Sequence, residues 1–291
     1  MFTLVVMAAG IGRRFGGDKQ LVEVGPDGES FLDYAISSAA AAGASKVVLV
    51  VRSEIRSVLR SHVDARHGAL RRAGVKFSYV SQDQHGPPRA KPWGTAHAVL
   101  VAEAEVPGSF VVCNADDYYG PAAMSALASA AVDLDDGEAC LCGYRLGRTL
   151  SATGSVSRGV CQLSGNRLDS IVEHHGVTRR ADGTITATEP TAELSEETVV
   201  SMNLWAFPRA AFDWIGESFE RFLADHRNDA DSECLLPTIV AERMAEQSLS
   251  VRVVSTTEPW IGVTNPDDLA TARAALAGRR AGGHPLAGER T

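Results

Sequence analysis

The sequence predicts an α/β fold with a doubly wound, mostly parallel sheet that is extended by a mixed second half. Over the first 132 residues, short β-branched runs alternate with helical patterns, as they do in βαβ units. The runs at 2–6 and 46–51 are apolar throughout, which is typical of parallel strands covered by helices on both faces. A glycine-rich stretch, 7–21, follows the first run directly, at the end of the sheet where ligands bind in such folds.

The elements of the first half follow from local patterns. Ser30 suits a helix N-cap, and Gly43 suits the end of the same helix. Residues 82–92 are polar and contain two adjacent prolines, so we expect a loop there. The predicted strands cover 2–8, 46–51, 75–81 and 109–114, and the predicted helices cover 30–42, 54–65, 95–103 and 121–132.

The second half changes character and is more polar in its connections. Residues 179–190 contain an Asp-Gly turn signal and predict an exposed hairpin or loop. The predicted strands cover 138–145, 160–163, 171–173, 198–207 and 250–255, and the predicted helices cover 209–226, 233–246 and 266–277. Because no linker or repeat interrupts the chain, we expect one domain over 1–277 and a disordered, glycine-rich tail over 278–291.

Composition restricts the partners and the compartment. The formal net charge is −8 and no long basic run is present, so neither nucleic acid nor an anionic membrane is an expected partner. The N-terminal apolar run is too short for a signal peptide or a membrane span. The five cysteines lack the paired spacing of zinc ligands and favour a reducing cytoplasm. The sequence leaves homo-oligomerisation open.

The stretch 7–21, MAAGIGRRFGGDKQL, has the chemistry of a phosphate-binding loop. Its glycines allow the backbone to approach a ligand closely, and successive N–H groups in such a loop bind anions. Arg13, Arg14 and Lys19 add positive charge suited to phosphate oxygens. The sequence therefore predicts a polyphosphate site at the carboxyl end of the first strand.

Two familiar glycine loops do not fit this stretch. A dinucleotide-binding loop needs a third glycine where Phe15 stands. A P-loop needs lysine directly after the last glycine and a hydroxyl residue next, but here Asp18 intervenes before Lys19, and Gln20 follows the lysine.

The remaining pattern, G-x-G-x-R-x-G-G-x-K after a hydrophobic strand, resembles the signature of the nucleotidyltransferases that make nucleoside-diphosphate sugars. Residues 91–99 (KPWGTAHAV) are similar to the segment of that family on which the base lies. Residues 114–120 (NADDYYG) are similar to its metal-binding strand end, and residues 171–175 (IVEHH) to its sugar-binding element. The resemblance covers about residues 1–270. It implies a Rossmann-like nucleotidyltransferase fold, a nucleoside triphosphate and a small phosphorylated acceptor as substrates, and Mg²⁺ as cofactor.

Position by position, the resemblance also implies a site. Arg14 would grip the triphosphate, Lys19 would bridge the reacting phosphates, and Asp116 would bind the magnesium ion. The implied nucleotide-binding residues are Ala9, Gly10, Gly12, Arg13, Gln82, Gly94 and Thr95, in the half 1–132, and the implied acceptor-binding residues are Gly159, Glu173 and Asn203, in the half 133–277.

Four positions depart from the family pattern. Ala115 replaces the glycine before Asp116. Arg13 stands where a small hydroxyl residue is common, and His174 where a sugar-site lysine is common. Gly262 stands where the family usually has a second metal-binding carboxylate. Either Asp116 holds the metal with phosphate and water oxygens, as Mg²⁺ allows, or Asp117 or another carboxylate completes the set.

We therefore predict a cytoplasmic, magnesium-dependent nucleotidyltransferase that joins a nucleoside monophosphate to a sugar phosphate or a sugar-like phosphate. The reaction needs two anions held together and their charge neutralised, which suits the residue types of the predicted site. Two alternatives stay open. One is a cytidylyltransferase that acts on a non-sugar phosphate or phosphonate, and the other is a non-catalytic, nucleotide-binding regulatory protein. The sequence identifies neither the base nor the acceptor.

Overall fold

The computed structural model describes residues 1–10, 19–151, 154–263 and 268–281. The strands are β1 (Phe2–Met7), β2 (Ala44–Val51), β3 (Lys76–Ser81), β4 (Phe110–Asn114), β5 (Asp117–Tyr118), β6 (Glu138–Arg145), β7 (Val156–Ser164), β8 (Arg167–Arg179), β9 (Ile185–Thr188), β10 (Thr191–Leu194), β11 (Val199–Phe207), β12 (Ser250–Ser255) and β13 (Ile261–Gly262). The helices are α1 (Phe31–Ala41), α2 (Arg56–Arg66), α3 (Gly68–Arg72), α4 (Thr95–Leu100), α5 (Pro121–Val132), α6 (Ala211–His226), α7 (Leu236–Ala245) and α8 (Asp268–Leu276).

Eleven of the described strands form one sheet, in the order β10-β9-β8-β12-β6-β11-β4-β1-β2-β3, with β7 joined to β11 and β8. The part β4-β1-β2-β3 is parallel throughout, as the apolar runs predict. Strand β11 is antiparallel to both β4 and β6, and β7, β8, β9 and β10 pair antiparallel with one another in sequence. The small pair β5–β13 stands apart from this sheet.

The α/β prediction and the prediction of a mixed second half are confirmed. The prediction of a mostly parallel sheet has to be corrected for the sheet as a whole, which is mixed. The physical reason is that β7, β8, β9 and β10 follow one another through short connections. A short turn can join antiparallel strands only, whereas parallel strands need a long crossover.

Two strands of the second half are longer than predicted. The predicted segments 160–163 and 171–173 lie within β7 and β8, which run together as one long hairpin. Polar residues alternate with apolar ones in both strands, so the apolar runs mark only part of each. The predicted hairpin within 179–190 is confirmed: β8 ends at Arg179, the predicted Asp-Gly turn follows, and β9 pairs antiparallel with β8.

The main sheet buries two apolar cores, one on each face. Leu4 and Val6 of β1 belong to one core and Val5 and Met7 to the other, and successive strand residues point to opposite faces. Helices α1, α2 and α5 supply side chains to the first core, and α4, α6 and α7 supply them to the second. None of the helices in the described part of the chain has the length and hydropathy of a membrane span.

The N-terminus of α1 contains a buried charged cluster. Ser30 caps the helix, as predicted, and its hydroxyl and backbone N–H both donate to Asp33 Oδ2 at 2.8 Å. Asp33 is 1% exposed, and its Oδ1 lies 2.9 Å from His62 Nε2 and 2.8 Å from His67 Nε2. We call the side chains of Asp33, His62 and His67 the Asp33 cluster. It ties the start of α1 to α2 and to the residue that follows α2.

The parallel pairing brings the ends of β1, β2 and β4 to one edge of the sheet. Met7 of β1 lies beside Asn114 of β4 on one side and Val50 of β2 on the other. The chain that leaves β1 therefore starts next to the acidic segment that follows β4. Ligands in such sheets bind outside the carboxyl ends of the strands, so this edge is the place to look for a site.

Candidate active site

A first cavity of about 550 Å³ opens at this edge. Five of the residues that the resemblance implied for nucleotide binding line it: Ala9, Gly10, Gln82, Gly94 and Thr95. Gly12, Arg13, Arg14 and the side chain of Lys19 lie outside the described residues. Segments separated by about eighty residues in the sequence thus meet around one cavity.

Gln82 is fixed in the wall of the first cavity. Its side chain is 3% exposed, and its Nε2 donates to the Gly94 carbonyl at 3.1 Å and lies 3.2 Å from His97 Nδ1. Burial, with a smaller effect of His85, lowers the pKa of His97 to about 4. His97 is therefore neutral near pH 7, and its Nδ1 can accept a hydrogen bond from the Gln82 amide. Both amide protons of Gln82 are then used, which leaves its carbonyl oxygen for a ligand.

Gly94 is required by the packing of its segment. Its φ is +103°, and a Cβ there would stand 2.4 Å from the Cys234 carbonyl oxygen. The Cys234 N–H donates to the Trp93 carbonyl at 2.8 Å. Thr95 Oγ1 accepts the Leu236 N–H at 2.8 Å. The glycine and the threonine therefore dock the start of α4 against the start of α7.

Gln20 supports the exit of β1, a role that no local sequence pattern indicates. Its Nε2 donates to the Ala8 carbonyl at 3.2 Å and to the Gly10 carbonyl at 3.0 Å. The side chain is 8% exposed. By bridging two carbonyls, Gln20 fixes the backbone where the predicted phosphate loop begins.

Two cations that the sequence analysis missed also line the first cavity. Arg89 stacks 4.1 Å from the Trp93 ring and donates to the Ser232 carbonyl at 3.0 Å. Lys91 donates to the Asp231 carbonyl at 2.6 Å and pairs with Glu233 at 3.3 Å. These contacts close the polar loop 82–92 onto residues 230–233. They join segments about 140 residues apart, which explains why local sequence patterns do not indicate them.

A second cavity of about 390 Å³ adjoins the first, because Thr95 lines both. Asp116, Gly159, Glu173 and Asn203 line this second cavity, as do several residues that sequence reasoning missed. The second cavity thus brings together the proposed metal residue and all three implied acceptor-binding residues. It draws on both halves of the chain.

The backbone of β7 and β11 shapes the second cavity. Gly159 pairs with Ser201 of β11 and with Glu173 of β8. Asn203 lies in an irregular part of β11 and has a φ of +59°, a conformation that asparagine tolerates better than most residues. Such irregularities in a strand often re-aim side chains next to active sites.

His175, rather than His174, lines the second cavity. His174 is 9% exposed and its Nδ1 lies 3.0 Å from the Val172 carbonyl, outside the cavity wall. His175 Nδ1 lies 2.8 Å from Ser157 Oγ, in the wall. Glu173 and His175 are two positions apart on one strand, so they share a face. Desolvation raises the pKa of Glu173, and the positive charges of His175 and Arg158 oppose this rise.

The acidic segment after β4 is held by buried hydrogen bonds. Asn114 Nδ2 donates to Asp117 Oδ2 at 2.8 Å, and the Tyr119 hydroxyl lies 3.1 Å from the same oxygen. Burial, with the negative charge of Asp117, raises the pKa of Tyr119 well above its ordinary value. Tyr119 is therefore a neutral hydrogen-bonding group near pH 7.

Gly262 lies beside Asp117. The two residues are paired between β13 and β5. A Cβ at Gly262 would stand 2.3 Å from the Trp260 ring and 3.1 Å from Asp117 Oδ1, so the ring fills the space where a side chain would begin and the carboxylate lies next to it. Asp116 and Asp117 both line the second cavity. Within the described ranges, no three His, Cys, Asp or Glu side chains are grouped so that they could hold a metal ion.

A third, larger cavity lies elsewhere. It measures about 880 Å³ and is lined by residues of the 85–87 segment, α4 and α6, with His97 in its wall. None of the residues predicted for the site lines it. The chemistry of the site is therefore assigned to the two smaller cavities.

Comparison with known proteins identifies the family of the chain. The family model of the MobA-like NTP transferase domain matches residues 4–191. The chain belongs to the MobA-like NTP transferase family. Membership of this family makes the chain a nucleotidyltransferase. The matched residues include the strand ends that line the first cavity and the acidic segment after β4. No curated protein sequence matches the chain.

Three solved structures share the fold of this NTP transferase over nearly its whole length. A protein from Bacillus anthracis described as a glucose-1-phosphate thymidylyltransferase, in complex with sucrose, has a TM-score of 0.67 and 14% identity, covering 96% of this chain and 97% of its own. The inositol-1-phosphate CTP transferase from T. maritima has a TM-score of 0.62 and 16% identity, covering 95% and 98%. A UDP-glucose pyrophosphorylase complexed with UDP-glucose has a TM-score of 0.63 and 15% identity, covering 96% and 100%. The chain therefore has the mixed α/β nucleotidyltransferase fold.

Proposed function

We propose that this enzyme transfers a nucleoside monophosphate from a nucleoside triphosphate to the phosphate of a sugar or sugar-like acceptor. The observation that carries the proposal is the pair of adjoining cavities at one sheet edge, one lined by the implied nucleotide residues and the other by the implied acceptor residues. Because the second cavity uses Asp116 from the first half and Gly159 from the second, we also propose that both halves act as one domain.

The first cavity would hold the base and the start of the triphosphate. The Gln82 carbonyl oxygen would accept a hydrogen bond from the base, and the backbone around Ala9 and Gly10, which Gln20 supports, would face the phosphates. Arg14 and Lys19 keep the roles that the resemblance implies, on the leaving pyrophosphate and between the reacting phosphates.

The second cavity would hold the acceptor through Gly159, Glu173 and Asn203. A phosphate oxygen of the acceptor attacks the α-phosphorus of the nucleoside triphosphate, and the bond from the α-phosphorus to the β-phosphate oxygen breaks. The products are a nucleoside diphosphate joined to the acceptor's carbon skeleton and free pyrophosphate. This reaction depends mainly on alignment and on charge neutralisation, which the adjoining cavities would supply.

The residues at the end of β4 suit a magnesium ion. Asp116 and Asp117 supply oxygen ligands, and Mg²⁺ usually keeps several waters and substrate phosphates beside one or two carboxylates. We propose that these two carboxylates hold the ion together with the substrate phosphates, with Asp117 in place of the carboxylate that position 262 lacks. When bound, the ion would neutralise negative charge on phosphate oxygens.

A pyrophosphate-release screen tests the proposed function. It crosses five nucleoside triphosphates with hexose 1-phosphates, cyclitol phosphates and phosphonates, with magnesium or with a chelator. We expect release with a matched pair only, and we expect Lys19→Ala to abolish it. If no pair released pyrophosphate and calorimetry detected no triphosphate binding, the proposal would be contradicted.

The cytidylyltransferase alternative keeps specific support. One of the structures that share the fold is an inositol-1-phosphate CTP transferase, and position 174, where the family commonly has a sugar-site lysine, lies outside the second cavity. Release with CTP and a cyclitol phosphate or a phosphonate alone would select this alternative. Membership of an NTP transferase family argues against the non-catalytic alternative.

His97→Leu is expected to weaken nucleoside triphosphate binding about tenfold, because Gln82 loses the acceptor that fixes its amide. Calorimetric titration of the preferred triphosphate measures the change. His226→Leu, at the C-terminal end of α6, is the matched control: His226 Nδ1 lies 3.0 Å from the Phe222 carbonyl and not near Gln82, so this variant should bind normally. Equal affinities of His97→Leu and the control would show that His97 does not position Gln82.

A further inference from the structure

Arg158 is a buried cation in the wall of the second cavity, and the sequence analysis did not single it out. Its residue is 7% exposed. Nε donates to Thr149 Oγ1 at 3.2 Å, Nη1 donates to the Ser157 carbonyl at 2.7 Å, and Nη2 donates to the Thr149 carbonyl. The guanidinium lies 4.8 Å from the centre of the Trp260 ring. These contacts hold the guanidinium in one orientation.

The backbone of β7 also favours this placement. The pairing between β7 and β8 shifts between Val156 and Arg158, which is the mark of a bulge or a similar irregularity. An irregularity of this kind turns a side chain away from the regular alternation of a strand. Both Ser157 and Arg158 line the second cavity as a result.

The charge of Arg158 is not matched by a direct partner in the described part of the chain. Burial lowers the pKa of Arg158 to about 10, while the charges of Asp117 and Glu173 act in the opposite direction. Even so, no carboxylate of the described residues forms an ion pair with it. A buried charge is costly unless it is paired. Of the five N–H groups of a guanidinium, the three protein contacts leave two for another group.

The second cavity offers few other cations to an anionic ligand. Among the described residues that line it, Arg158 is the sole arginine or lysine, and His175 is the other group that can carry positive charge. Asp116 and Asp117 lie in the same cavity. An acceptor whose phosphate reacts beside these carboxylates would meet Arg158 there.

We propose that Arg158 binds the phosphate or phosphonate group of the acceptor and so selects acceptors that carry a tetrahedral dianion. This inference rests on the proposed function, because it assigns the residue that holds the acceptor in that reaction. Arginine suits the role, since its planar fork makes paired, charge-assisted hydrogen bonds to phosphate oxygens. The cation would also offset the repulsion between the acceptor phosphate and the nearby carboxylates.

Inorganic phosphate is the probe that tests the assignment without a known acceptor. It is titrated by calorimetry into the full-length enzyme saturated with a non-reactive triphosphate analogue, so that the first cavity is already filled. The variants are Arg158→Met, Arg158→Lys and the matched control Arg145→Met, whose arginine lies at the end of β6 and pairs with Glu197. Acetate serves as a planar anion for comparison.

We expect phosphate to bind the wild type and the control, and to bind Arg158→Met about 10- to 100-fold more weakly. Arg158→Lys keeps the charge but loses the fork, so we expect intermediate binding, and acetate should bind more weakly than phosphate throughout. If Arg158→Met fails to fold, Arg158→Lys decides the matter. With an acceptor in hand, Arg158→Lys should raise the KM for the acceptor and leave the KM for the triphosphate unchanged.

Two results would overturn the assignment while leaving the proposed function intact. One is phosphate binding to Arg158→Met or to Arg158→Lys as tightly as to the wild type. The other is a wild-type enzyme that binds the triphosphate analogue but not phosphate, or that prefers acetate. Failure of the wild type to bind any triphosphate would instead contradict the proposed function.

Discussion

Asp116→Asn is expected to lower the rate of pyrophosphate release by about 10²- to 10³-fold, with triphosphate binding in chelator unchanged. The carboxylate lies in the second cavity beside Asp117, at the end of β4, where we propose that magnesium and the reacting phosphates meet. Asparagine keeps the size of the side chain and removes its charge. Steady-state turnover at several magnesium concentrations measures the effect.

The companion variant Asp117→Asn tests whether the second carboxylate substitutes for the one missing at Gly262. We expect it to raise the magnesium concentration needed for half-maximal rate. Asp169→Asn is the control, since that exposed carboxylate on β8 accepts a hydrogen bond from Ser164 and lies outside both cavities. Normal turnover in Asp116→Asn would remove the proposed magnesium site from the mechanism.

Asp33→Ala is expected to lower the free energy of unfolding by about 3 kcal/mol, the largest effect that we expect on stability. The change removes the carboxylate of the Asp33 cluster, which caps α1 and accepts hydrogen bonds from His62 and His67. Urea unfolding at pH 7 measures the loss. Asp64→Ala removes an exposed carboxylate with two arginine partners and should cost about 1 kcal/mol or less.

The contribution of Asp33 should also depend on pH. Burial alone would raise the pKa of Asp33, but hydrogen bonds from His62 and His67 outweigh burial and hold it well below 3.8. A carboxylate whose folded-state pKa is depressed stabilises the protein above its unfolded pKa and loses that contribution as pH falls. The stability gap between wild type and Asp33→Asn should therefore be constant above about pH 5 and shrink below about pH 4. A gap that grows with acid would contradict this explanation.

The sequence was most informative where one local signal determines the structure. The run 46–51 is buried on both faces, so its uninterrupted apolar pattern predicts β2 well. Strands β7 and β8 were predicted too short because one side of them forms the second cavity, and polar residues such as Ser157 and Glu173 interrupt the apolar pattern. Hairpin turns then fix these strands as antiparallel.

In the candidate site, too, local motifs predict some residues, whereas contacts between distant segments determine others. Gly94 and Asp116 stand in local motifs at strand or helix ends, so their neighbourhood could be predicted. Arg158 could not, because its environment is built from Thr149, Trp260 and β8, which no single stretch of sequence brings together. The contact between Gln82 and His97 could likewise not be predicted, because it depends on how α4 packs against the loop 82–92.

The fate of the individual phosphorus atoms distinguishes nucleotidyl transfer from other phosphate transfers. A nucleoside triphosphate labelled at the α-phosphorus, and separately at the γ-phosphorus, is incubated with the enzyme, magnesium and the matched acceptor. Nucleotidyl transfer predicts that the α label joins the acceptor and that the γ label leaves in pyrophosphate. Transfer of the γ label to the acceptor, or its release as inorganic phosphate, would contradict the account.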